Sequence, residues 1–203
     1  MSTRASPLCQ ALINGCSAHL KPIVITALNT GMRKEEILSL EWDKHIDLKH
    51  GFILLDKTKN GDTREIPVNQ TVRFALQGIT RRVDVPHVFI DSDGKRFKDV
   101  KRSFKSALRK AGIKDFHFHD LRHTFASHLV MAGIDLTTVK ELLGHKTLSM
   151  TLRYAHLSAT HKTRAVDILD GAMTDKPKTG KSSERSTTQL VHNLKEKGLT
   201  IVG

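Results

Sequence analysis

The sequence predicts an α+β protein that is mainly α-helical and carries one small antiparallel β-hairpin sheet. Two observations lead to this class. Apolar residues recur every three or four positions along most of the chain before residue 171, which is the spacing of one helix face. The exception is a pair of short β-type runs on either side of Asn60 and Gly61, a dipeptide typical of tight hairpin turns.

The amino-terminal part is predicted to be helical. Residues 7–28 show helical periodicity, but Gly15 and Pro22 interrupt it, so we expect two helices there. Gly31 breaks the pattern, which resumes over residues 34–40.

The predicted strands cover residues 46–48, 52–55 and 65–68, which are short and rich in Ile, Leu, Phe and Val. The hairpin loop between the last two carries Lys57 and Lys59. A long side chain near the tip can reach into a groove and deliver a proton, although an ordinary solvated lysine would look the same. Beyond the hairpin, helical spacing returns.

Residues 98–111 are predicted to form an amphipathic helix with an apolar and a basic face. The apolar face consists of Val100, Phe104, Ala107, Leu108 and Ala111. The basic face consists of Lys98, Lys101, Arg102, Lys105, Arg109 and Lys110, with Asp99 as one nearby acid. Such a face can simply be solvated, but this excess of cations makes it a candidate for phosphate contacts in DNA.

Two further helices are predicted on either side of a turn. Residues 121–132 form the first, which Gly133 closes, and Asp135 caps the second, over residues 136–143. Gly144 is expected to follow as the residue that ends this helix.

The charge balance favours a polyanionic partner. Lys and Arg number 33 against 21 acidic residues, for a net charge of +12, which indicates nucleic acid first and an acidic membrane second. A soluble basic protein without such a partner would show the same balance. No secretory signal or membrane span is recognised, so we expect a cytoplasmic protein. Cys9 and Cys16 lack metal-site spacing and are predicted to be reduced packing residues.

Phosphodiester transfer needs a nucleophile, fixed cations for the transition state and a proton for the departing oxygen. The one tyrosine of the chain, Tyr154, is the candidate nucleophile. Arg33 and Arg122 are candidate phosphate ligands, because a guanidinium gives paired, permanently charged hydrogen bonds. His119 precedes Arg122 by three residues, and His145 follows a helix end, where the dipole favours a protonated ring.

Each of these residues also has an ordinary reading, as a surface arginine, a capping histidine or a core tyrosine. His123, next to Arg122, is predicted to be a core or supporting residue without a catalytic role.

Four blocks of sequence together resemble the catalytic domain of the tyrosine recombinases, the phage integrase family. They are TGMRKEEILSL at residues 30–40, TKNG leading to IPV at 58–68, HDLRHTFA at 119–126, and LLGH followed by TLRYAH at 142–156. The likeness covers roughly residues 8–169 and implies the tyrosine recombinase/integrase catalytic-domain fold.

The resemblance assigns roles to matching positions. It implies that Arg33 and Arg122 clamp the phosphate, that Tyr154 is the nucleophile and that Lys59 is the general acid. His119 matches an acid/base that also contacts the phosphate.

Two other positions match the family pattern. His145 occupies a place that orients and stabilises the transition state, and Glu36 matches an acid that supports the first arginine.

The resemblance also implies a reaction cycle on double-stranded DNA. The tyrosine forms a 3′-phosphotyrosyl link and releases a 5′-hydroxyl, and a 5′-hydroxyl from a partner duplex reverses the step. No metal, ATP or other cofactor is needed. The family implies a tetramer on two DNA sites and leaves open a monomer in isolation.

We expect residues 1–170 to form the catalytic domain and residues 171–203 to form a linker and tail, in which residues 189–202 dock in cis or in trans. The catalytic domain begins almost at residue one, so the chain resembles a catalytic fragment or a short family member.

Two other functions stay open from the residues alone. A type IB topoisomerase shares the tyrosine chemistry but acts on any DNA as a monomer. A non-catalytic DNA-binding regulator could use residues 133–145 as half of a helix-turn-helix.

Overall fold

The computed structural model describes residues 7–56 and 63–158, together with positions 166 and 169. In this part, helices accompany one three-stranded antiparallel sheet, which confirms the predicted class. The chain divides into two compact units after Lys162, and the second is described only at Val166 and Leu169. The predicted linker and tail lie outside the described residues, so their boundary and docking stay predictions.

Apart from the short α4, which the sequence pattern does not predict, the described helices follow the predicted order. They are α1 (Pro7–Gly15), α2 (Leu20–Thr30), α3 (Lys34–Leu38), α4 (Trp42–His45), α5 (Gln70–Gln77), α6 (Lys101–Lys110), α7 (Phe118–Met131), α8 (Leu136–Leu143) and α9 (Ser149–Leu152). A short 3₁₀ turn, Ala155–Ser158, follows α9. Tyr154 therefore lies in the turn between α9 and this 3₁₀ segment.

The sheet consists of β1 (Ile46–Asp47), β2 (Phe52–Leu55) and β3 (Arg64–Pro67), in the order β1-β2-β3. Ile53 of β2 pairs with Ile46 on one side and Ile66 on the other. Ile53 and Ile66 are buried and alternate with more exposed neighbours, so one face of the sheet packs on the core.

Helices α3, α6 and α7 differ in extent from the prediction, and α3 ends at Leu38 rather than at residue 40. α6 is shorter than residues 98–111, because the Asp99 carboxylate accepts hydrogen bonds from the Val100 backbone N–H and from Lys34 rather than lying inside the helix. α7 begins at Phe118, three residues before the predicted start at 121. The Asp120 carboxylate accepts from the His117 backbone N–H at 2.7 Å, which caps this earlier start and places His119 inside the helix.

The described core has a larger and a smaller cluster. The larger one joins α1, α2, the sheet, α5, α6 and the start of α7 through apolar side chains. The smaller one consists of Ala126, Val130, Val139, Leu143 and Tyr154. The candidate nucleophile is thus a packed residue that belongs to the cluster joining α7 and α8.

Among the described residues, Cys9 is buried and Cys16 is half-buried, and the two do not form a disulfide. No helix in the described part is both long and apolar enough to span a membrane.

Candidate active site

A pocket of about 260 Å³ brings together residues from two of the four sequence blocks. It is lined by Met32, Arg33, Lys34, Phe118, His119 and Arg122. The turn between α2 and α3 supplies Met32 and Arg33, the start of α3 supplies Lys34, and the first turns of α7 supply the others. Both predicted phosphate ligands therefore open onto one cavity together with the predicted histidine.

Arg33 is the N-cap residue of α3 and is held by Glu36. The Glu36 carboxylate accepts from the Arg33 side chain at 2.7 Å and from its backbone N–H at 2.8 Å. The side chain of Arg33 remains 39% exposed, so its other donors are available to a ligand. The predicted supporting position of Glu36 beside the first arginine is thus present in the geometry.

Arg122 is buried, with only 3% of its surface exposed. Its two terminal nitrogens donate to the carbonyl oxygens of Gly31 and Leu143, each at 2.6 Å. Burial, followed by the charge of Arg33, lowers the pKa of Arg122 to about 10. The guanidinium is therefore firmly oriented while its charge is poorly compensated, and an anion placed in the pocket would correct this mismatch.

A third guanidinium, from Arg64 of β3, lies beside the first two. Arg64 donates to Glu36 at 3.0 Å and to the Leu143 carbonyl at 2.5 Å. Sequence reasoning missed this residue, because an arginine next to a hairpin loop is normally a solvated side chain. Its hydrogen-bond partners come from α3 and α8, and no sequence pattern around Arg64 predicts these contacts.

His145 follows the end of α8, as predicted, but its expected protonated state is wrong. Burial, followed by the charges of Arg122 and Arg33, lowers the pKa of His145 to about 4. The helix dipole acts in the opposite direction but is outweighed. The ring is neutral near pH 7, and its Nδ1 lies 2.8 Å from the hydroxyl of the buried Thr151, which fixes its orientation.

Tyr154 is 5% exposed and its hydroxyl lies 2.6 Å from Nδ1 of His123. Burial raises the pKa of the phenol above its ordinary value. Burial, followed by the charge of Arg153, lowers the pKa of His123, so this ring is neutral and can accept a proton. The rings of His123 and His119 meet edge to face, with centroids 4.8 Å apart.

His123 is the second residue that sequence reasoning missed. The sequence pattern assigns it no catalytic role, yet among the described residues it is the one whose side chain is hydrogen bonded to the candidate nucleophile. Its place next to Arg122 in the third block was the available signal.

Five of the six predicted catalytic residues thus gather around α7 and the ends of α2 and α8. Lys59, together with its rival Lys57, lies outside the described residues, so its position stays a prediction. Within the part of the chain that the structure describes, no group of three or more His, Cys, Asp or Glu side chains is arranged to hold a metal ion.

The predicted DNA-contacting residues of the basic face are all exposed. They are Lys98, Lys101, Arg102, Lys105 and Arg109. The start of this segment is tied to the pocket, because Lys34, the neighbour of Arg33, donates to Asp99 at 2.8 Å. One ion pair therefore connects the start of the basic face to Lys34, which lines the pocket that also contains Arg33 and Arg122 (the arginine pocket).

Known proteins are similar to this chain in sequence and in fold. The sequence profile of the Phage integrase family matches residues 5–161. The integrase of Salmonella phage P22 is 35% identical over 180 residues, covering 79% of this chain and 46% of that protein. Tyrosine recombinase XerA of Pyrococcus furiosus is 37% identical over 152 residues, covering 71% of this chain and 52% of that protein.

Solved structures of integrases and recombinases have a similar fold. The catalytic domain of bacteriophage HP1 integrase superposes with a TM-score of 0.63 at 30% identity, covering 82% of this chain and 94% of that domain. A structure of the XerH site-specific recombinase bound to difH substrate has a TM-score of 0.64 at 21% identity, covering 83% of this chain and 56% of that one.

The chain spans about half or less of the length of these curated relatives, and it matches nearly the whole of a solved integrase catalytic domain. The sequence match extends over all four blocks and over every described residue of the site. This chain belongs to the phage integrase family of tyrosine recombinases.

Proposed function

We propose that this chain is the catalytic domain of a site-specific recombinase that cleaves and rejoins double-stranded DNA through a 3′-phosphotyrosyl intermediate. The observation that carries the proposal is the meeting of Arg33, His119 and Arg122 in one pocket. His119 packs against His123, whose ring lies within hydrogen-bond distance of the Tyr154 hydroxyl. A fixed cationic pocket beside a buried phenol matches the demands of phosphoryl transfer.

The scissile phosphate would bind where Arg33 and Arg122 converge. Arg122 is oriented by two backbone carbonyls and Arg33 by Glu36, so neither has to reorganise as charge develops on the non-bridging oxygens. A bound phosphate would also compensate the unfavourable burial of the Arg122 charge. His119, which lines the same pocket, would donate a further hydrogen bond or exchange a proton there.

Tyr154 would attack phosphorus through its phenolic oxygen. Because burial raises the pKa of the phenol, the proton has to leave as the new P–O bond forms. Neutral His123, with Nδ1 at 2.6 Å, is placed to accept this proton. The bond from phosphorus to the 5′ oxygen then breaks, and Lys59 would supply the proton that leaves with the 5′-hydroxyl.

Neutral His145 would contribute a hydrogen bond rather than a charge. Thr151 holds one ring nitrogen at 2.8 Å, which leaves the other nitrogen to serve the phosphate as it acquires negative charge. As the phosphate approaches, its charge would raise the pKa of this ring and strengthen the interaction.

DNA is the proposed partner along the basic face that is formed by α6 and by Lys98, which precedes it. The five exposed cations listed above would follow the backbone away from the pocket and position the duplex without reading its bases. The resemblance to recombinases also makes a tetramer on two DNA sites the proposed active assembly, and a cytoplasmic location is proposed with it.

Strand exchange is the experiment that tests this function. Two labelled duplexes that carry attachment sites, selected by adduct capture from a randomised pool, would be incubated with the protein in EDTA. Recombinant duplexes and four-way junctions are the expected products. Relaxation of any supercoiled plasmid without strand exchange would instead identify a type IB topoisomerase, and DNA binding without cleavage would identify a regulator.

A further inference from the structure

Arg64 connects the two phosphate-clamping arginines through a continuous series of hydrogen bonds. Its Nη2 donates to the Glu36 carboxylate, which also accepts a hydrogen bond from Arg33. Its Nη1 donates to the Leu143 carbonyl oxygen, which also accepts a hydrogen bond from Arg122 at 2.6 Å. The Arg64 guanidinium, which comes from strand β3, therefore donates to one hydrogen-bond partner of Arg33 and to one hydrogen-bond partner of Arg122.

The side chain of Arg64 is 11% exposed, so this is a buried connection. Its Nε is a buried donor without a hydrogen-bond partner in the described structure. An unpaired buried donor is unfavourable, and placing a third guanidinium beside Arg33 and Arg122 adds like-charge repulsion. Fold stability alone is therefore a weak reason for an arginine at this position. A role in the neighbouring arginine pocket is a stronger one.

The two receiving groups are suited to hold a cation in a fixed place. Leu143 is the last residue of α8, where unpaired carbonyls carry the partial negative charge of the helix end. Burial alone would raise the pKa of Glu36, but Arg64, and after it Arg33, holds the pKa below its ordinary value. Glu36 is thus ionised and shared between two arginines.

Gly144 leaves the space that Arg64 occupies. A Cβ at this position would clash with Nη1 of Arg64. The residue also has a left-handed backbone, with φ at +63°, which ends α8 and turns the chain toward His145. A glycine here therefore satisfies the helix end and admits the guanidinium at the same time.

We infer that Arg64 is a positioning residue that sets the relative placement of Arg33 and Arg122 through Glu36 and the Leu143 carbonyl. This inference rests on the proposed function, in which those two arginines clamp the scissile phosphate. Arg64 does not line the arginine pocket, so it acts through its neighbours rather than on the DNA.

The test measures single-turnover cleavage of a nicked suicide duplex at saturating protein, for wild type, Arg64→Ala and Arg64→Lys. Arg64→Ala is expected to lower the maximal rate by about 100-fold, the loss typical of reacting groups displaced by about 1 Å. The affinity for DNA is expected to stay near wild type. Arg64→Lys keeps the charge but has no fork to bridge Glu36 and Leu143, so it should recover only part of the rate.

Arg82→Ala is the matched control, because Arg82 is an exposed arginine paired with Asp84 at the surface. It should cleave at the wild-type rate. This control separates the loss of one positive charge from the loss of the connection that Arg64 provides.

A methylphosphonate at the scissile position distinguishes positioning from a general folding defect. This linkage lacks the negative charge that the clamp meets, so misplaced clamping arginines should matter less. The ratio of wild-type to Arg64→Ala rates should therefore shrink markedly on the methylphosphonate. A smaller folded fraction would lower both rates equally and leave the ratio unchanged.

The outcomes separate this inference from the function on which it rests. Absence of a covalent adduct with wild type on every selected duplex would overturn both. A wild-type adduct together with full-rate cleavage by Arg64→Ala, or with an unchanged ratio on the methylphosphonate, would overturn the positioning role alone.

Discussion

Replacing Arg122 by glutamine separates the two roles that the structure gives this side chain. Two terms act on stability in opposite directions. The Gly31 carbonyl loses its guanidinium donor, which costs about 1–3 kcal/mol for a buried acceptor. The Leu143 carbonyl keeps the hydrogen bond from Arg64 at 2.5 Å and stays satisfied.

The opposing term is the relief of a buried charge. Burial, followed by the charge of Arg33, lowers the pKa of Arg122 well below its ordinary value, to about 10. At 1.36 kcal/mol for each pKa unit, burying the Arg122 charge destabilises the fold by about 3 kcal/mol. Neutral glutamine does not carry this cost. The two terms nearly cancel, so the free energy of unfolding should change by less than about 2 kcal/mol.

Catalysis should respond very differently. Loss of one preorganised charged donor at a transition state costs about 100- to 1,000-fold in rate. We therefore expect Arg122→Gln to fold, to bind DNA and to cleave a suicide duplex at least about 100-fold more slowly than wild type. Urea melts and single-turnover cleavage measure the two quantities. A folded, DNA-binding variant that cleaves within about tenfold of wild type would refute the reasoning.

Three further outcomes are expected. Lys59→Ala should lose cleavage on normal DNA and regain it on a 5′-bridging phosphorothiolate, whose leaving group needs no proton; absence of rescue would contradict the general-acid role. Burial, followed by the charges of Arg122 and Arg33, lowers the pKa of His145 from 6.5 to about 4, so the unfolded chain binds more protons between these values. Thermal stability should therefore fall as pH drops through that window, and His145→Gln should flatten the fall; equal slopes would contradict this pKa. Lys105→Ala and Arg109→Ala should each reduce the salt slope of DNA affinity by about one, whereas unchanged slopes would remove α6 from the DNA path.

The residues that sequence could predict are those with a recognisable local setting. Arg33 follows a glycine turn, Arg122 follows a histidine by three positions, and His145 follows a helix end marked by Gly144. Their grouping in space follows from the order of the blocks. The hairpin sheet was predictable for the same reason, because the sequence pair Asn60 and Gly61 is typical of a tight hairpin turn.

What the sequence could not supply depends on packing between distant segments. Arg64 acquires its role from the Leu143 carbonyl, 79 residues away along the chain. His123 becomes important because Tyr154, 31 residues later, folds back against it. The protonation state of His145 was mispredicted because the helix dipole is visible locally, whereas burial and the charges of Arg122 and Arg33 arise only in the folded protein.

The central claim is that Tyr154 forms a covalent bond to DNA without a metal. The most direct measurement incubates wild type and Tyr154→Phe with a nicked suicide duplex in EDTA and separates the products on a denaturing gel. Phenylalanine keeps the packed ring and loses only the hydroxyl that meets His123, so the variant should still fold and bind DNA. The account predicts a slower-migrating protein–DNA adduct with wild type, a DNA-linked peptide that contains Tyr154, and no adduct with Tyr154→Phe. An adduct that persists in Tyr154→Phe, or one that forms only when a divalent metal is added, would contradict it.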